Sequence, residues 1–295
     1  MKVLVIGASE CFGRALLPAL CASDAVQAVT ALDMRAQHFV HGKVRAIQID
    51  VRDAAASRSL AGHDALVNIM SHVPAMATVP AEAMDERVRP LHKLFQEADA
   101  AGVQRLVHIS TAAIYGPAVH ANERSPLRPA PGFAYAEQHA HLERLLDIDL
   151  PRCVRLRPHL IVGPHAHPAV RRVLRQPFYP KLAQPPALFQ CIHEDDLAHA
   201  VLLCLTSKAQ GAYNIATEDS FTVREAIRAR GRFSVGVSYH VAESLVNWAN
   251  RYLSYGVDPA WLDRASHTLL INCRRAIAEL GWRNRYTARQ ALAAT

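Results

Sequence analysis

The chain opens with Met1-Lys-Val-Leu-Val-Ile-Gly-Ala-Ser-Glu-Cys-Phe-Gly13, where an apolar run meets two glycines six residues apart. The run from Val3 to Ile6 predicts a buried strand, and Gly7 directly after it permits a tight turn. Gly13 begins the next helical segment, so helix and strand can pack closely while free backbone N–H groups face an anion. We therefore predict a strand, a phosphate-binding loop and a helix, in that order.

One residue of this loop departs from the usual pattern. A Gly-x-x-Gly-x-x-Gly spacing would place glycine where the loop passes closest to a bound pyrophosphate, but the chain has Glu10 there. Two like charges about 4 Å apart, at an effective dielectric of about 20, repel by roughly 4 kcal/mol, or about a thousandfold in affinity. We expect weak dinucleotide binding unless Glu10 faces solvent or pairs with Arg14 or Arg35.

Length and composition limit the class of protein. A chain of 295 residues, 51% of them hydrophobic, can bury one large α/β unit with a substrate-binding lobe, or two small domains. Its net charge of +7 favours anionic ligands, but no nucleic-acid-binding motif accompanies the arginines. The cysteines form no Cys-x-x-Cys pair, and no apolar run is long enough to span a membrane. We predict a cytoplasmic protein with reduced thiols that binds neither nucleic acid nor membrane.

Beyond the first loop, short aliphatic runs alternate with longer helical stretches, which is typical of βαβ units and a parallel sheet. The runs lie at 27–32, 44–49, 65–70, 105–110 and 152–157, and a long helical pattern extends from about residue 80 to 101. We predict an α/β fold with a Rossmann-type doubly wound parallel sheet and a smaller C-terminal substrate lobe. The dinucleotide-binding domain is predicted at 1–163, with 189–216 returning to it, and the substrate-binding lobe at 164–188 and 217–295.

The second predicted strand ends in an aspartate that bears on the choice of cofactor. Asp33 lies twenty residues beyond Gly13, the distance at which an acidic side chain meets the adenosine ribose in dinucleotide-binding folds. This spacing favours NAD. Arg35, two residues later, could instead receive a 2′-phosphate, so NADP stays open. A simple turn aspartate after a strand is the alternative interpretation of Asp33.

Several further motifs follow one another at spacings that resemble a known family. They are Asp50-Val-Arg-Asp53, Ser110-Thr-Ala-Ala-Ile-Tyr-Gly116, Tyr135, Arg157-Pro158 with Gly163-Pro164, His193-Glu-Asp-Asp196, Tyr213-Asn214-Ile215 and Glu279-Leu-Gly-Trp282. Together with the opening loop and Asp33, this series resembles the extended short-chain dehydrogenase/reductases. That group includes nucleotide-sugar epimerases, dehydratases and hydroxysteroid-dehydrogenase-like enzymes. The resemblance covers nearly the whole chain and implies a Rossmann-type fold.

The resemblance implies a catalytic Tyr-x-x-x-Lys pair with a nearby serine or threonine. Carried over to this sequence, the hydroxyl is Thr111 and the tyrosine is Tyr135, but His139 stands in the lysine position. A tyrosine titrates near pH ~10 and needs a neighbouring cation to act as a base at neutral pH. Histidine, with a reference pKa near ~6.5, is mostly neutral at pH 7 unless a carboxylate holds its proton.

The resemblance also implies which residues contact a nicotinamide dinucleotide, either NAD or NADP. These cofactor-binding residues are Gly7, Ser9, Glu10, Cys11, Phe12, Gly13, Asp33, Arg35, Asp50, Val51, Met70, Tyr135, His139 and Pro158. No metal site is predicted, because no acid or cysteine completes the pairs His139-x-His141 and His165-x-His167 at a recognisable spacing.

Three functional hypotheses follow. In the first, an NAD(P)-dependent oxidoreductase acts on a secondary alcohol or ketone, with Tyr135 as general acid/base, Thr111 polarising the substrate oxygen and His139 orienting the ribose. A protonated Tyr135 favours carbonyl reduction, although a nearby Asp or Glu could keep His139 charged. The second is a nucleotide-sugar epimerase or dehydratase, and epimerisation is disfavoured because Tyr135 would also have to act as a base. The third is a non-catalytic dinucleotide-binding regulatory protein.

The sequence of the second half of the chain indicates less about the substrate than the first half does about the cofactor. The segment 165–190 is rich in basic residues and is interpreted either as a clamp for a substrate diphosphate or as a solvated basic loop. Its basic residues are His165, His167, Arg171, Arg172, Arg175 and Lys181. A sugar nucleotide and an apolar ketone or alcohol both stay open as the small-molecule substrate. A homodimer through the helices before and after Thr111 also stays open.

Overall fold

The fold is built on a central sheet of seven parallel strands. The computed structural model describes residues 1–70, 82–181, 185–229, 234–253, 262–263 and 265–295. The sheet strands are β1 (Lys2–Ile6), β2 (Ala28–Asp33), β3 (Val44–Gln48), β4 (Ala65–Asn68), β5 (Arg105–Ile109), β7 (Val154–Pro158) and β11 (Gly211–Ile215). Their order is β11-β7-β5-β4-β1-β2-β3, and each neighbouring pair is parallel. The predicted α/β, doubly wound Rossmann-type fold is confirmed.

Helices cover both faces of this sheet. The described α-helices are α1 (Gly13–Ala22), α2 (Ala54–Arg58), α3 (Glu82–Ala100), α4 (Ala134–Asp149), α5 (Pro168–Arg175), α6 (Glu194–Thr206), α7 (Val223–Arg228), α8 (Tyr239–Leu253), α9 (Arg274–Leu280) and α10 (Ala288–Ala293). A 3₁₀ turn spans Ala112–Tyr115. The predicted start of the long helix near residue 80 lies outside the described residues.

Three small parallel pairs lie outside the main sheet. They are β6 (Ala118–Ala121) with β13 (Leu269–Ile271), β8 (Leu160–Val162) with β10 (Cys191–His193), and β9 (Phe178–Lys181) with β12 (Val235–Ser238). The last pair packs with α7 and α8. The division of the chain into a dinucleotide-binding domain and a substrate lobe stays a prediction.

The alternation of side chains along β1 explains the two cores. Val3 and Val5 point into the cluster that contains α1 and α6, whereas Leu4 and Ile6 point into the cluster that contains α3. All four side chains are fully buried. A strand buried on both faces must be apolar throughout, which is why this run has no polar residue.

The order of the strands also locates the binding crevice. The chain runs outward from β1 in one direction to β2 and β3, and in the other direction to β4, β5, β7 and β11. Ligands of doubly wound sheets bind where this order reverses, at the carboxyl ends of the strands. In this chain that point lies between β1 and β4, beside Gly7 and the residues that follow Asn68.

Candidate active site

The loop after β1 makes two close approaches that only glycine permits. Gly7 has a φ of +81°, and a Cβ there would lie 2.7 Å from the backbone nitrogen of Met70. A Cβ on Gly13 would lie 2.1 Å from the carbonyl oxygen of Ala8. The loop therefore lies directly against the end of β4, and α1 directly against the loop, as the sequence pattern predicts.

Two backbone N–H groups of the loop are available to a ligand. Helix α1 begins after Phe12, whose side chain makes no capping hydrogen bond. The N–H groups of Cys11 and Phe12 donate to no acceptor in the described part of the chain. Unpaired N–H groups at a helix N-terminus can bind an anion, and the placing of a pyrophosphate here stays a prediction.

A network of charged side chains contacts the outer side of the loop. Asp33 accepts hydrogen bonds from the N–H of Ser9 through Oδ2 (2.9 Å) and from the N–H of Arg35 through Oδ1 (2.8 Å). The Arg35 guanidinium in turn donates to Glu10, with Nη2 2.9 Å from Oε1, and its Nε lies 3.4 Å from Asp33 Oδ1. Glu10 thus has the partner that the sequence argument requires for relief of its repulsion toward phosphate.

The ionised carboxylate of Glu10 nevertheless lies in an unfavourable electrostatic environment. Its pKa is raised above the ordinary value chiefly because it is partly buried, and the charge of Asp33 raises that pKa further. The Arg35 guanidinium acts in the opposite direction and lowers it. Because Arg35 pairs with the carboxylates of Glu10 and Asp33, these two groups already neutralise much of its positive charge.

Other predicted cofactor-binding residues lie at the ends of neighbouring strands. Met70 and Val51 are buried in the same core cluster as Ile6 and contribute an apolar wall. Asp50 follows β3 and pairs with the Arg52 guanidinium. Pro158 is the last residue of β7. The contacts of these four residues with a cofactor stay predictions.

The structure brings the three predicted catalytic residues together. Tyr135 and His139 are four residues apart on α4 and therefore on one face of that helix. Their ring centroids are 4.7 Å apart, with the planes at 68°. Thr111 follows β5, and its side chain lies near enough to Tyr135 to lower the pKa of that hydroxyl. Thr111 also accepts a hydrogen bond from the N–H of Ala113, which fixes its side chain.

Burial keeps both titratable groups of this trio neutral at pH 7. It raises the pKa of Tyr135 to about 12, and the charge of Glu10 adds to that rise while the Thr111 hydroxyl opposes it. Burial lowers the pKa of His139 to about 4. Among the described residues no carboxylate pairs with His139, since Nδ1 lies 3.3 Å from Nε2 of His108 and Nε2 has no partner. No cation from the described residues therefore stabilises a Tyr135 phenolate.

His108 and Asn68 belong to the site although the sequence argument did not include them. Asn68 ends β4 and pairs in register with His108 on β5, so both side chains lie next to each other. Both are fully buried. The sequence did contain a signal for both residues. Each is a polar residue within an apolar run that predicts a buried strand. The register that brings them together is not visible in the sequence.

A buried ion pair holds α4, the helix that carries Tyr135 and His139. Glu143, one turn beyond His139, accepts two hydrogen bonds of 3.0 Å from Nε of Arg157 on β7. Arg157 also donates to the Tyr115 hydroxyl (2.7 Å). Removing one partner of such a buried pair costs about 3–5 kcal/mol, so this contact fixes the orientation of α4 on the sheet.

Part of the basic segment 165–190 has regular secondary structure, since helix α5 begins at Pro168 and strand β9 follows it. A loop is therefore the wrong interpretation for these two elements, although Arg172 and Arg175 are exposed to solvent. The diphosphate clamp stays a prediction. His167 caps α5 by accepting from the N–H of Ala169, and His165 pairs with Glu194. These two histidines therefore already have structural partners, whereas Lys181 lines a cavity.

That cavity has a volume of about 850 Å³. Its basic lining residues are Lys181, Arg224, Arg228 and Arg289, and the guanidinium groups of Arg224 and Arg228 both lie over the ring of Tyr179. Its two acids are engaged elsewhere: Asp219 accepts from the N–H of Ala288, and Glu225 caps α7. The lining of the cavity thus has more cationic than anionic groups, and two of the cations lie over the Tyr179 ring.

Within the described ranges, no three His, Cys, Asp or Glu side chains lie close enough together to hold a metal ion. None of the helices in these ranges combines the length and the apolar character that crossing a membrane requires.

Comparison with known proteins decides the family. A model of the NAD dependent epimerase/dehydratase family matches residues 3–216. The chain belongs to this family. An uncharacterized protein of Mycobacterium tuberculosis is among the sequences similar to this family member, 24% identical over 98% of this chain and 81% of the relative.

Solved structures show the same fold along the whole chain. A dTDP-glucose 4,6-dehydratase from Streptomyces venezuelae, with NAD and DAU bound, has a TM-score of 0.78 and 22% identity, covering 100% of this chain and 95% of that chain. A Thermus thermophilus UDP-glucose 4-epimerase in complex with NAD has the same TM-score and identity, covering 100% and 97%. Both likenesses show that this epimerase/dehydratase family member has a Rossmann-type fold.

Proposed function

We propose that the chain is a nicotinamide-dinucleotide-dependent carbonyl reductase, in which a neutral Tyr135 gives its proton to the substrate oxygen. The observation that carries this proposal is the pair formed by Tyr135 and His139. Because burial keeps both groups neutral, the site holds a proton donor but lacks a base at pH 7. Oxidation of an alcohol needs a base at that position, whereas reduction of a carbonyl needs an acid.

The residues present fit a dinucleotide. The two glycines let the loop lie against β4 and α1 against the loop, and the N–H groups of Cys11 and Phe12 would hold the pyrophosphate. Asp33 would meet the adenosine ribose, and Nε2 of His139 would face the nicotinamide end, beside Tyr135. A reduced nicotinamide, when bound, supplies the hydride that reduces the carbonyl.

Tyr135 and Thr111 perform the remaining chemistry. The Thr111 side chain lies near the Tyr135 hydroxyl, so a substrate oxygen bound between the two hydroxyls would receive both as donors. As hydride reaches the carbonyl carbon, negative charge grows on the carbonyl oxygen, and the Tyr135 O–H bond breaks toward it. Thr111 polarises the same oxygen by a second hydrogen bond. Epimerisation is less well supported, because it also requires Tyr135 to remove a proton.

The charges around Arg35 favour NAD over NADP. A 2′-phosphate would need the positive charge of Arg35, and that charge is matched by Glu10 and Asp33. Asp33 would also repel the phosphate. The proposed cofactor is therefore NAD in its reduced form, NADH.

The cavity beside α7 favours a sugar nucleotide over an apolar ketone. Its cationic groups suit the diphosphate of a sugar nucleotide. Two of the similar structures are named for dTDP-glucose and UDP-glucose. We therefore propose a keto sugar linked to a nucleoside diphosphate as the substrate.

The experiment begins with calorimetric titration of the protein with NADH, NAD, NADPH and NADP. Oxidation of the bound reduced cofactor is then followed by absorbance against nucleotide-linked keto sugars and against simple apolar ketones. We expect NADH to bind and to be oxidised by a keto sugar nucleotide. Binding without turnover on either panel would favour the non-catalytic dinucleotide-binding protein, and the absence of all dinucleotide binding would exclude both functions.

A further inference from the structure

Three buried side chains form a row that leads from the sheet to Tyr135. Asn68 and His108 are register partners on β4 and β5, and the ring of His139 on α4 lies nearly parallel to that of His108, with ring centroids 5.4 Å apart. The ring of Phe95 contacts His108 at 84° to its plane, with centroids 6.2 Å apart. The row is therefore held by the packing of Phe95 as well as by hydrogen bonds.

The direction of every hydrogen bond in the row is set at its inner end. The backbone N–H of Met70 donates to Oδ1 of Asn68 (3.3 Å), so the other atom of that amide is the nitrogen. Nδ2 of Asn68, 2.9 Å from Nδ1 of His108, is then the donor and Nδ1 of His108 the acceptor. An imidazole that accepts through Nδ1 and is neutral carries its proton on Nε2.

The same reasoning applies one residue further along the row. Nε2–H of His108 faces Nδ1 of His139 at 3.3 Å, so His139 accepts through Nδ1 and its own proton is on Nε2. Nε2 of His139 is buried and has no hydrogen-bond partner among the residues the structure describes. A buried N–H group beside Tyr135 that has no acceptor among these residues is a group that a ligand oxygen reaching it would satisfy.

We propose that Asn68 and His108 are positioning residues that hold His139 as the tautomer that accepts through Nδ1 and donates through Nε2–H. His139 then gives one hydrogen bond to a hydroxyl or carbonyl oxygen of the ligand bound beside Tyr135. His139 remains a neutral donor in this arrangement and does not act as a proton relay. The ligand part of this inference rests on the proposed function, whereas the pattern of tautomers does not.

The tautomers are tested in the free protein by long-range proton–nitrogen NMR of ¹⁵N-histidine at pH 7. The signals of the two rings are assigned by their loss in His108→Gln and His139→Gln. We expect both rings to be neutral and to carry the proton on Nε2. A proton on Nδ1 of either ring, or a doubly protonated His139, would overturn the proposal whether or not the protein binds a dinucleotide.

A double-mutant cycle on NADH affinity tests how His108 acts. His139→Phe is expected to weaken binding by about tenfold, and His108→Phe by about fivefold, because each keeps the ring but loses the hydrogen bond. His108→Gln, which can still accept from Asn68 and donate to His139, should restore the affinity. Since His108 acts through His139, adding His108→Phe to His139→Phe should cause no further loss.

Additive losses, or no recovery in His108→Gln, would show that His108 is only part of the packing and would contradict the positioning role. If the wild-type protein binds no NADH, the proposed function fails, while the NMR spectrum of the free protein still decides the tautomers. A variant that does not fold is replaced in the same cycle by leucine at that position.

Discussion

Replacing Tyr135 by phenylalanine is expected to lower kcat for carbonyl reduction by about a hundredfold to ten-thousandfold, the usual contribution of a positioned general acid. The ring and its contact with His139 are kept, so the affinity for NADH should change by less than about twofold. The loss should fall on kcat because the proton is needed in the transition state and not for binding. Initial rates with the substrate found in the keto-sugar panel, together with calorimetry, measure both quantities.

Tyr252→Phe is the matched control for this experiment. Tyr252 is 63% exposed on α8 and lies outside the candidate site, so its loss should leave kcat and KM unchanged. Turnover that survives in Tyr135→Phe at the wild-type rate would show that the substrate oxygen takes its proton from another group. The role assigned to Tyr135 would then be wrong, even with cofactor binding intact.

Glu10→Gly is expected to strengthen NADH binding by roughly tenfold to a hundredfold. An unrelieved carboxylate would cost about a thousandfold, and pairing with Arg35 offsets part of that cost. The gain should be larger for NADPH, because the variant frees the Arg35 guanidinium for a 2′-phosphate. Calorimetric titration with both reduced dinucleotides gives the two changes directly.

Glu10→Gln separates the charge of this residue from the backbone freedom that glycine adds. The glutamine variant should show most of the gain, and it should also lose a pH dependence. Because the pKa of Glu10 is raised, lowering the pH from neutrality protonates Glu10 and removes its repulsion, so NADH should bind the wild-type protein more tightly at lower pH. Unchanged affinity in both variants would mean that Arg35 fully neutralises the carboxylate.

The fold could be predicted from sequence because its main signals are local. The run from Val3 to Ile6 is apolar at every position, which a strand buried on both faces requires, and Gly7 and Gly13 mark the two close approaches. Helix α5 was not predicted, because the signals for it are not local. Its arginines suggest a solvated segment, and its start at Pro168 depends on a cap that His167 supplies from outside the helix.

The candidate site was only partly predictable. The resemblance brought Thr111, Tyr135 and His139 together, and one of the alternatives for Glu10, pairing with Arg35, is found in the structure. The charge state of His139 depends on burial and on the absence of a carboxylate partner among the described residues, and neither can be inferred from spacing. The same holds for Asn68 and His108, whose contact depends on the register between β4 and β5.

The central claim is that Tyr135 is a neutral acid because His139 supplies no charge. The measurement that tests it most directly is the pH dependence of kcat in both directions, for the wild-type protein and for His139→Lys. For the wild type we predict a reduction rate that is constant between about pH 6 and about pH 9, and an oxidation rate that rises about tenfold per pH unit over that range.

These profiles follow from the two pKa values. Tyr135 stays protonated below about pH 12, and His139 stays neutral above about pH 4. The acid needed for reduction is therefore present throughout this range. The fraction of Tyr135 present as phenolate, which is the base needed for oxidation, increases with pH. A lysine in place of His139 should stabilise the phenolate and move the rise in oxidation to lower pH by more than about one unit. A wild-type oxidation rate that reaches its plateau near pH ~7 would contradict the account, because Tyr135 would then already be a phenolate.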